Sequence, residues 1–254
     1  MALTVAALIA GMQGDAQMTH AWAEENLKLC REKGYYFELG MLGGAFMFLS
    51  ENTNQPYQPL LQAEDLRAVR LTGNPWVIAL AVFHEAQWAK MNHNWAQAYA
   101  GHEEAAVLFR QMRDQLFFNA SRSEMGHILR YQGHLKEAAA IYRETIRRWQ
   151  ELGQRSAVAH ELECFGFVAT AGKQGQWAAR LFGAAEILRE EIGASMMPAE
   201  RREYDQVVAD LRLQLDEDAF VKTWSEGRDL SMEEAVNFAV QIDEPAREQE
   251  PQRA

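Results

Sequence analysis

The sequence predicts an all-α protein that is built from pairs of antiparallel helices and closed by further helices at its C-terminal end. Leu, Ala, Glu, Gln, Arg and Met, which favour helices, dominate a chain that contains only six Pro. Similar positions also recur at intervals of 40 residues, as in Ala98, Ala138 and Ala178. An ungapped internal repeat of this length is typical of arrays in which each helix pair packs on the next.

Each repeat combines a small residue with a ring. Ala86, Gly126 and Gly166 each lie 12 residues before the repeated Ala, and a ring lies four residues after it. A small residue on one helix lets the two backbones approach, and a ring one turn further along fills the gap between the helices. The three rings are His102, Tyr142 and Phe182.

The repeats predict the positions of ten helices. Four pairs are expected at 35–50 with 57–72, 76–91 with 95–112, 117–131 with 135–152, and 156–172 with 176–192. A less regular pair is expected at 2–13 with 16–33. Turn-forming segments such as NTNQP, QGHL and GKQG separate the helices.

After residue 194 the repeat pattern ends. Pro198 begins a predicted helix, a second follows at 217–227, and Ser231 with Glu234 forms a capping box for a last one. Helices outside the repeat can cover the final apolar face of a stacked array. We therefore expect about five helix pairs in 1–194, capping helices in 195–242 and a disordered polar tail in 243–254.

The charge of the chain argues against nucleic acid as a partner. The formal net charge is −11, whereas binding to phosphates relies on clustered Lys and Arg. The two cysteines are too few for a disulfide framework, and no apolar run approaches the ~20 residues that cross a bilayer. These features predict a cytoplasmic chain that binds neither nucleic acid nor membrane.

Four segments carry a resemblance to a known family: RYQGHLKEAAAIYRETIRRWQELGQRSAVAHELECFGFVA, WAARLFGAAEILREEIGA, PAERREYDQVVADLR and WSEGRDLSMEEAVNFAV. The region from about Asn119 to Val240 resembles the C-terminal helical region of bacterial signal-transduction ATPases of the LuxR, AfsR and MalT type, which regulate transcription. The helix pairs as a whole resemble tetratricopeptide repeats, although the usual period there is about 34 residues. The resemblance implies a right-handed superhelical array, an α-solenoid, that acts as a sensor or scaffold.

Two departures limit what the resemblance implies. The chain has no G-x-x-x-x-G-K-[ST] phosphate loop, so ATP hydrolysis does not carry over, and no helix-turn-helix follows Val240. We expect a domain that binds a protein, a peptide or a small effector, with a homo-oligomer as a further candidate. The alternatives are a free-standing scaffold that assembles partner proteins and an enzyme with an unrecognised helical active site.

The sequence contains only weak patterns for catalytic chemistry. His160 and Cys164 share a helix face near Glu163, which offers two or three metal ligands, but H-E-x-x-H and paired C-x-x-C are absent. Nothing resembles G-x-S-x-G. The sequence therefore predicts no catalytic residue, no metal and no cofactor.

The predicted binding site follows from the tetratricopeptide resemblance, because the first helix of each pair lines the concave surface in that family. The matching positions lie at spacings of three and four along the first helices. They are Phe83, Gln87, Lys90, Ser123, His127, Arg130, Tyr131, His160, Glu163 and Phe167.

Two cations recur at one position of this face. Lys90 and Arg130 are 40 residues apart and are suited to a carboxylate or phosphate of an extended ligand. The alternative is that both are solvated cations near helix C-termini, where the helix dipole favours them. Arg130 is expected to contribute little to stability. Phe83 and Phe167 have no obvious core to fill, which favours contact with a ligand.

Overall fold

The computed structural model describes residues 1–53, 61–196 and 198–242, and within these ranges the chain forms helices and no strand. This confirms the all-α prediction. The helices are α1 (Ala2–Met12), α2 (Ala16–Lys33), α3 (Tyr36–Thr53), α4 (Ala63–Leu71), α5 (Pro75–Met91), α6 (Trp95–Gln111), α7 (Gln115–Tyr131), α8 (Leu135–Glu151), α9 (Arg155–Ala171), α10 (Gly175–Ile192), α11 (Pro198–Gln214), α12 (Glu217–Arg228) and α13 (Met232–Ala239). Among the described residues, every helix is too short or too polar to cross a lipid bilayer.

The helices repeat with the predicted spacing. The first helices α5, α7 and α9 begin at Pro75, Gln115 and Arg155, which are 40 residues apart, and α6, α8 and α10 begin 20 residues after each of them. The helix expected at 57–72 is described only from Ala63, and most of the NTNQP turn lies outside the described residues. The tail predicted at 243–254 also lies outside them.

A residue in the left-handed backbone conformation follows most of the helices. Glycine takes this conformation at no steric cost and occupies it six times. At three turns a residue with a side chain takes it instead, namely His93, Arg113 and Lys173, with φ of 58°, 59° and 60°. These three positions follow α5, α6 and α9, and they hold the same place in the repeat as the glycines.

The chain divides into two compact units. Unit 1 comprises Met1–Ile128 with Met197–Arg201, and unit 2 comprises Leu129–Met196 with Arg202–Ala254. In unit 1, α1 packs on α2 and α3, and α5 packs on α3 and α6. In unit 2, α10 packs on α9 and α12, and α13 contacts α8, α9 and α10.

The predicted small-residue and ring packing is present in unit 2. A Cβ built on Gly166 would lie 2.6 Å from the ring of Phe182, so the ring fills the space that a side chain would need. All three repeated rings, His102, Tyr142 and Phe182, are fully buried. The helix pair α9 and α10 is therefore held at a separation that only glycine permits at this position.

The C-terminal helices begin and end close to where the sequence predicts. The capping box of α13 is formed, since the backbone N–H of Ser231 donates to Glu234 Oε2 at 2.9 Å and Ser231 Oγ accepts from the backbone N–H of Glu234 at 3.3 Å. A Cβ on Gly183 of α10 would lie 2.3 Å from the carbonyl oxygen of Trp224 in α12. The backbones of α10 and α12 are therefore in direct contact.

Candidate functional site

The ten residues of the predicted binding face fall into two groups of five, one in each unit. The group in unit 1 consists of Phe83, Gln87, Lys90, Ser123 and His127. The group in unit 2 consists of Arg130, Tyr131, His160, Glu163 and Phe167.

In unit 1 the predicted cation, Lys90, pairs with the carboxylate of Glu124, which belongs to the same unit. Lys90 Nζ lies 2.5 Å from Glu124 Oε2, and Gln87 Nε2 donates to Glu124 Oε1 at 2.7 Å. Burial would raise the pKa of Glu124, but the charges of Lys90, His127 and His102 outweigh it and hold that pKa well below its usual range. Glu124 is therefore an ionised, internally paired group.

The aromatic member of the unit 1 group packs in a core, which corrects the expectation that Phe83 has no core to fill. Phe83 belongs to a buried cluster with Leu80 and Phe109. Its ring meets the rings of His102 and Phe117 edge to face, with centroids 5.0 and 6.0 Å away. Its ring is therefore a packing element of unit 1.

In unit 2 the predicted cation holds a carboxylate from outside the repeats. Arg130 Nη1 and Nη2 donate to the two carboxylate oxygens of Glu203 in α11, at 2.5 and 3.1 Å. Tyr131 Oη donates to Glu203 Oε2 at 3.2 Å. The guanidinium carbon also lies 4.3 Å from the ring centroid of Tyr131 and 4.6 Å from that of Phe167. Arg130 thus combines a two-bond carboxylate contact with two aromatic contacts.

Arg130 is nearly buried, whereas its partner is not. The Arg130 side chain is 11% exposed and the Glu203 side chain 35%. Burial would lower the pKa of Arg130, but the hydrogen bonds to Glu203 outweigh burial and raise it. The Nε of Arg130 is buried and has no hydrogen-bond partner among the described residues. The site therefore keeps one spare donor beside a fixed positive charge.

The repeat explains why Arg130 needs a partner from α11. Lys90 pairs with Glu124, which lies 34 residues further along the chain. The residue 34 positions after Arg130 is Cys164, a buried thiol whose pKa is raised by burial. A neutral thiol cannot balance a guanidinium. Glu203 takes the place of the carboxylate that this repeat lacks.

Glu163, the acidic residue of the unit 2 group, is also paired within its unit. Glu163 accepts two hydrogen bonds from Arg189, from Nε at 2.6 Å and from Nη2 at 2.9 Å. His160 Nδ1 lies 3.7 Å from Glu163 Oε2, and His160 Nε2 lies 3.7 Å from Cys164 Sγ. Glu163 of α9 therefore holds Arg189 of α10 in an ion pair.

Phe167 is likewise part of a core, contrary to the expectation from the sequence. Its ring is buried, meets that of Phe182 edge to face at 5.5 Å, and also contacts the guanidinium of Arg130. The ring of Phe167 therefore contacts the guanidinium of Arg130 and also packs between α9 and α10.

Comparison of the chain with protein-family models, with curated proteins and with solved structures gave no match.

Sequence reasoning missed a small pocket in unit 1 between α3, α4 and α5. Its volume is about 30 Å³, which is enough to admit a water molecule. Burial lowers the pKa of His84 in its wall to about 4, and burial raises the pKa of the neighbouring Glu85. The lining residues are Gly43, Leu61, Leu66, Ala81, His84, Glu85 and Trp88. No sequence pattern indicates this pocket, because it depends on how three helices meet.

Proposed function

We propose that this chain is a binding domain that recognises a carboxylate or phosphate of a protein, peptide or small effector at Arg130. In this proposal its helix pairs form a right-handed tetratricopeptide-like solenoid, which serves as the sensor or scaffold region of a bacterial regulator of transcription. The observation that supports it most strongly is the bidentate contact between Arg130 and Glu203.

The geometry around Arg130 suits an oxyanion of a ligand. A guanidinium offers a planar fork that matches the two oxygens of a carboxylate or phosphate, whereas an ammonium offers a single point of charge. The rings of Tyr131 and Phe167 hold the guanidinium in place, so little conformational freedom is lost when an anion binds. Glu203 shows what kind of group fits this fork.

Glu203 acts as an internal competitor in this proposal. A ligand carboxylate has to displace it, so the apparent association constant is the intrinsic one multiplied by the fraction of molecules in which the fork is free. The Glu203 side chain is 35% exposed, so a ligand can reach the carboxylate that it has to displace. Loss of Glu203 should therefore strengthen the binding of an anionic ligand.

The test is a peptide-display selection on the full chain, followed by titration calorimetry with the selected peptides. We expect enrichment of peptides that carry Asp or Glu, and their affinity should fall about 10-fold or more in Arg130→Gln. Arg130→Lys should restore only part of it, whereas Glu203→Ala should raise it. The matched control is Arg155→Gln, which removes an exposed cation that pairs with Glu191.

Two outcomes would count against the proposal. One is a selection that enriches no acidic peptide, and the other is equal binding of the selected peptides to the wild type and to Arg130→Gln. A free-standing scaffold protein would use the same guanidinium fork of Arg130. The identity of the natural partner distinguishes such a scaffold from a region of a transcription regulator. A partner with a nucleotide-binding or DNA-binding domain supports the regulator.

A further inference from the structure

One face of α1 is apolar and exposed. Val5, Ile9 and Met12 follow one another at spacings of four and three, and their residues are 48, 49 and 58% exposed. Residues at these spacings lie on one side of a helix. The helix has no ionisable side chain, although the chain as a whole has a net charge of −11.

The opposite face of α1 fixes the helix to unit 1. Thr4 Oγ1 accepts a buried hydrogen bond of 2.8 Å from Asn26 Nδ2 in α2. A Cβ on Gly11 would lie 2.2 Å from the carbonyl oxygen of Ala45, so the backbones of α1 and α3 are in direct contact. Because of these contacts, α1 cannot rotate to bury its outer side chains. The exposed apolar face is a fixed feature of unit 1.

We propose that this face of α1 pairs with the same face of a second copy of the chain, in an antiparallel arrangement about a two-fold axis. A two-fold interface places a surface patch of one copy opposite the same patch of the other, so a charged patch faces like charge and is repelled. The chain has a net charge of −11, but α1 adds no charged side chain, and the N-terminal ammonium before it lies 3.9 Å from Glu38 Oε1, so two copies meet at this face with little repulsion between like charges. Antiparallel helices also place opposite ends of their dipoles together.

A lipid surface fits this helix less well. Helices that lie in the membrane interface carry Lys and Arg on their polar side, and anionic lipids attract those charges. The outer face of α1 has no such residue beside it within the helix, and the net negative charge of the chain opposes approach to an anionic surface. The proposal therefore commits to a second copy.

The mass of the full chain in solution tests the pairing. Three half-exposed side chains make a small interface, so we expect a dimer that dissociates on dilution. Sedimentation equilibrium over a range of concentrations should show this dimer, and Ile9→Glu should weaken it at least 10-fold. Val107→Glu, at a residue that is 40% exposed on α6, is the matched control and should leave it unchanged. Circular dichroism of each variant verifies that it folds.

Cross-linking tests the antiparallel arrangement independently. The two native cysteines are buried, so a new surface thiol is the one that reacts. With the two-fold axis at the middle of the Val5–Met12 face, antiparallel pairing brings position 5 of one copy near position 12 of the other. A mixture of Val5→Cys and Met12→Cys chains should therefore form more disulfide-linked dimer than either variant alone.

A chain that stays monomeric at every concentration would overturn the proposal. So would a dimer that Ile9→Glu leaves intact. Flotation with vesicles of phosphatidylcholine and phosphatidylglycerol is the third measurement. Binding to these vesicles that Ile9→Glu abolishes, without a dimer in solution, would assign the face to lipid instead.

Discussion

Arg130 and Glu203 form a two-bond ion pair although they are 73 residues apart in sequence. The repeat that contains Arg130 has Cys164 at the position where the preceding repeat has Glu124. The pair therefore ties α7 to α11 through a carboxylate that the repeat itself does not supply. It is both a structural contact within unit 2 and the best indication of what the proposed site recognises.

The first prediction concerns stability. Arg130→Ala should lower the free energy of unfolding by about 2 kcal/mol, because it removes a buried guanidinium from a carboxylate and from two rings. This replaces the sequence-based expectation that Arg130 contributes little to stability. Urea denaturation followed by circular dichroism measures the change.

Arg155→Ala is the control for this prediction. Arg155 and Glu191 also form an ion pair, but their side chains are 44 and 53% exposed, and exposed pairs contribute less than about 1 kcal/mol. Equal losses of the free energy of unfolding in Arg130→Ala and Arg155→Ala would show that burial adds nothing to the contribution of the Arg130–Glu203 pair to stability.

The second prediction tests the glycine between α9 and α10. Gly166→Ala should destabilise the protein by about 1–3 kcal/mol, because its Cβ would overlap the ring of Phe182. Phe182→Leu should make the same change less costly, since it clears that space. Gly175→Ala is the control, because its Cβ would meet only side-chain atoms at 3.4 Å or more. Thermal melting of the wild type and the variants measures these changes. A melting temperature of Gly166→Ala equal to that of the wild type would contradict the packing.

The third prediction concerns a turn. Arg113 has a φ of 59°, a left-handed conformation that costs a side-chain-bearing residue about 1 kcal/mol relative to Gly. Arg113→Gly should therefore raise the free energy of unfolding by about 0.5–1 kcal/mol, measured by urea denaturation. Gly153→Ala, at a φ of 68°, should lower it by a similar amount. Changes of the same sign in both variants would refute this assignment.

The fourth prediction concerns pH. Burial lowers the pKa of His102 from 6.5 to about 4. Between these values the unfolded chain binds a proton that the folded chain does not, so stability falls as the pH decreases from 6.5 to 4. His84 behaves in the same way. Each His should account for a loss of up to about 3 kcal/mol over this range.

His102→Phe isolates one of these two contributions. Both ring nitrogens of His102 are buried without a hydrogen-bond partner among the described residues, so the Phe ring should also stabilise the protein at pH 7. Phe182 occupies the equivalent position two repeats later. Urea denaturation at pH 7, 5 and 4 should show a smaller loss with acid in this variant. An unchanged pH dependence would show that folding does not lower the pKa of His102.

The helices could be predicted from the sequence because the signals for them are local. Pro75 at the first helical position, the Ser231–Glu234 capping box and the left-handed glycines each act within one turn of the residue concerned. The 40-residue repeat adds the spacing between helices. These signals need no knowledge of long-range contacts.

The partners within the candidate site could not be predicted in the same way. Nothing near Arg130 in the sequence indicates Glu203, because the contact depends on where α11 lies. The burial of Phe83 had a usable signal, since α5 is apolar on several sides around it, as expected of a helix that is covered by neighbours. For Arg130, the useful signal was the thiol of Cys164 where a repeat carboxylate is expected.

The left-handed residues at 93, 133 and 173 have a consequence for how such a chain changes length in evolution. The three turns share a backbone conformation and follow helices of equal length. A duplication or deletion of the 40 residues between two of them rejoins the chain at a turn of the same conformation. Genetic changes at these joints therefore add or remove whole helix pairs and keep the register of every remaining helix.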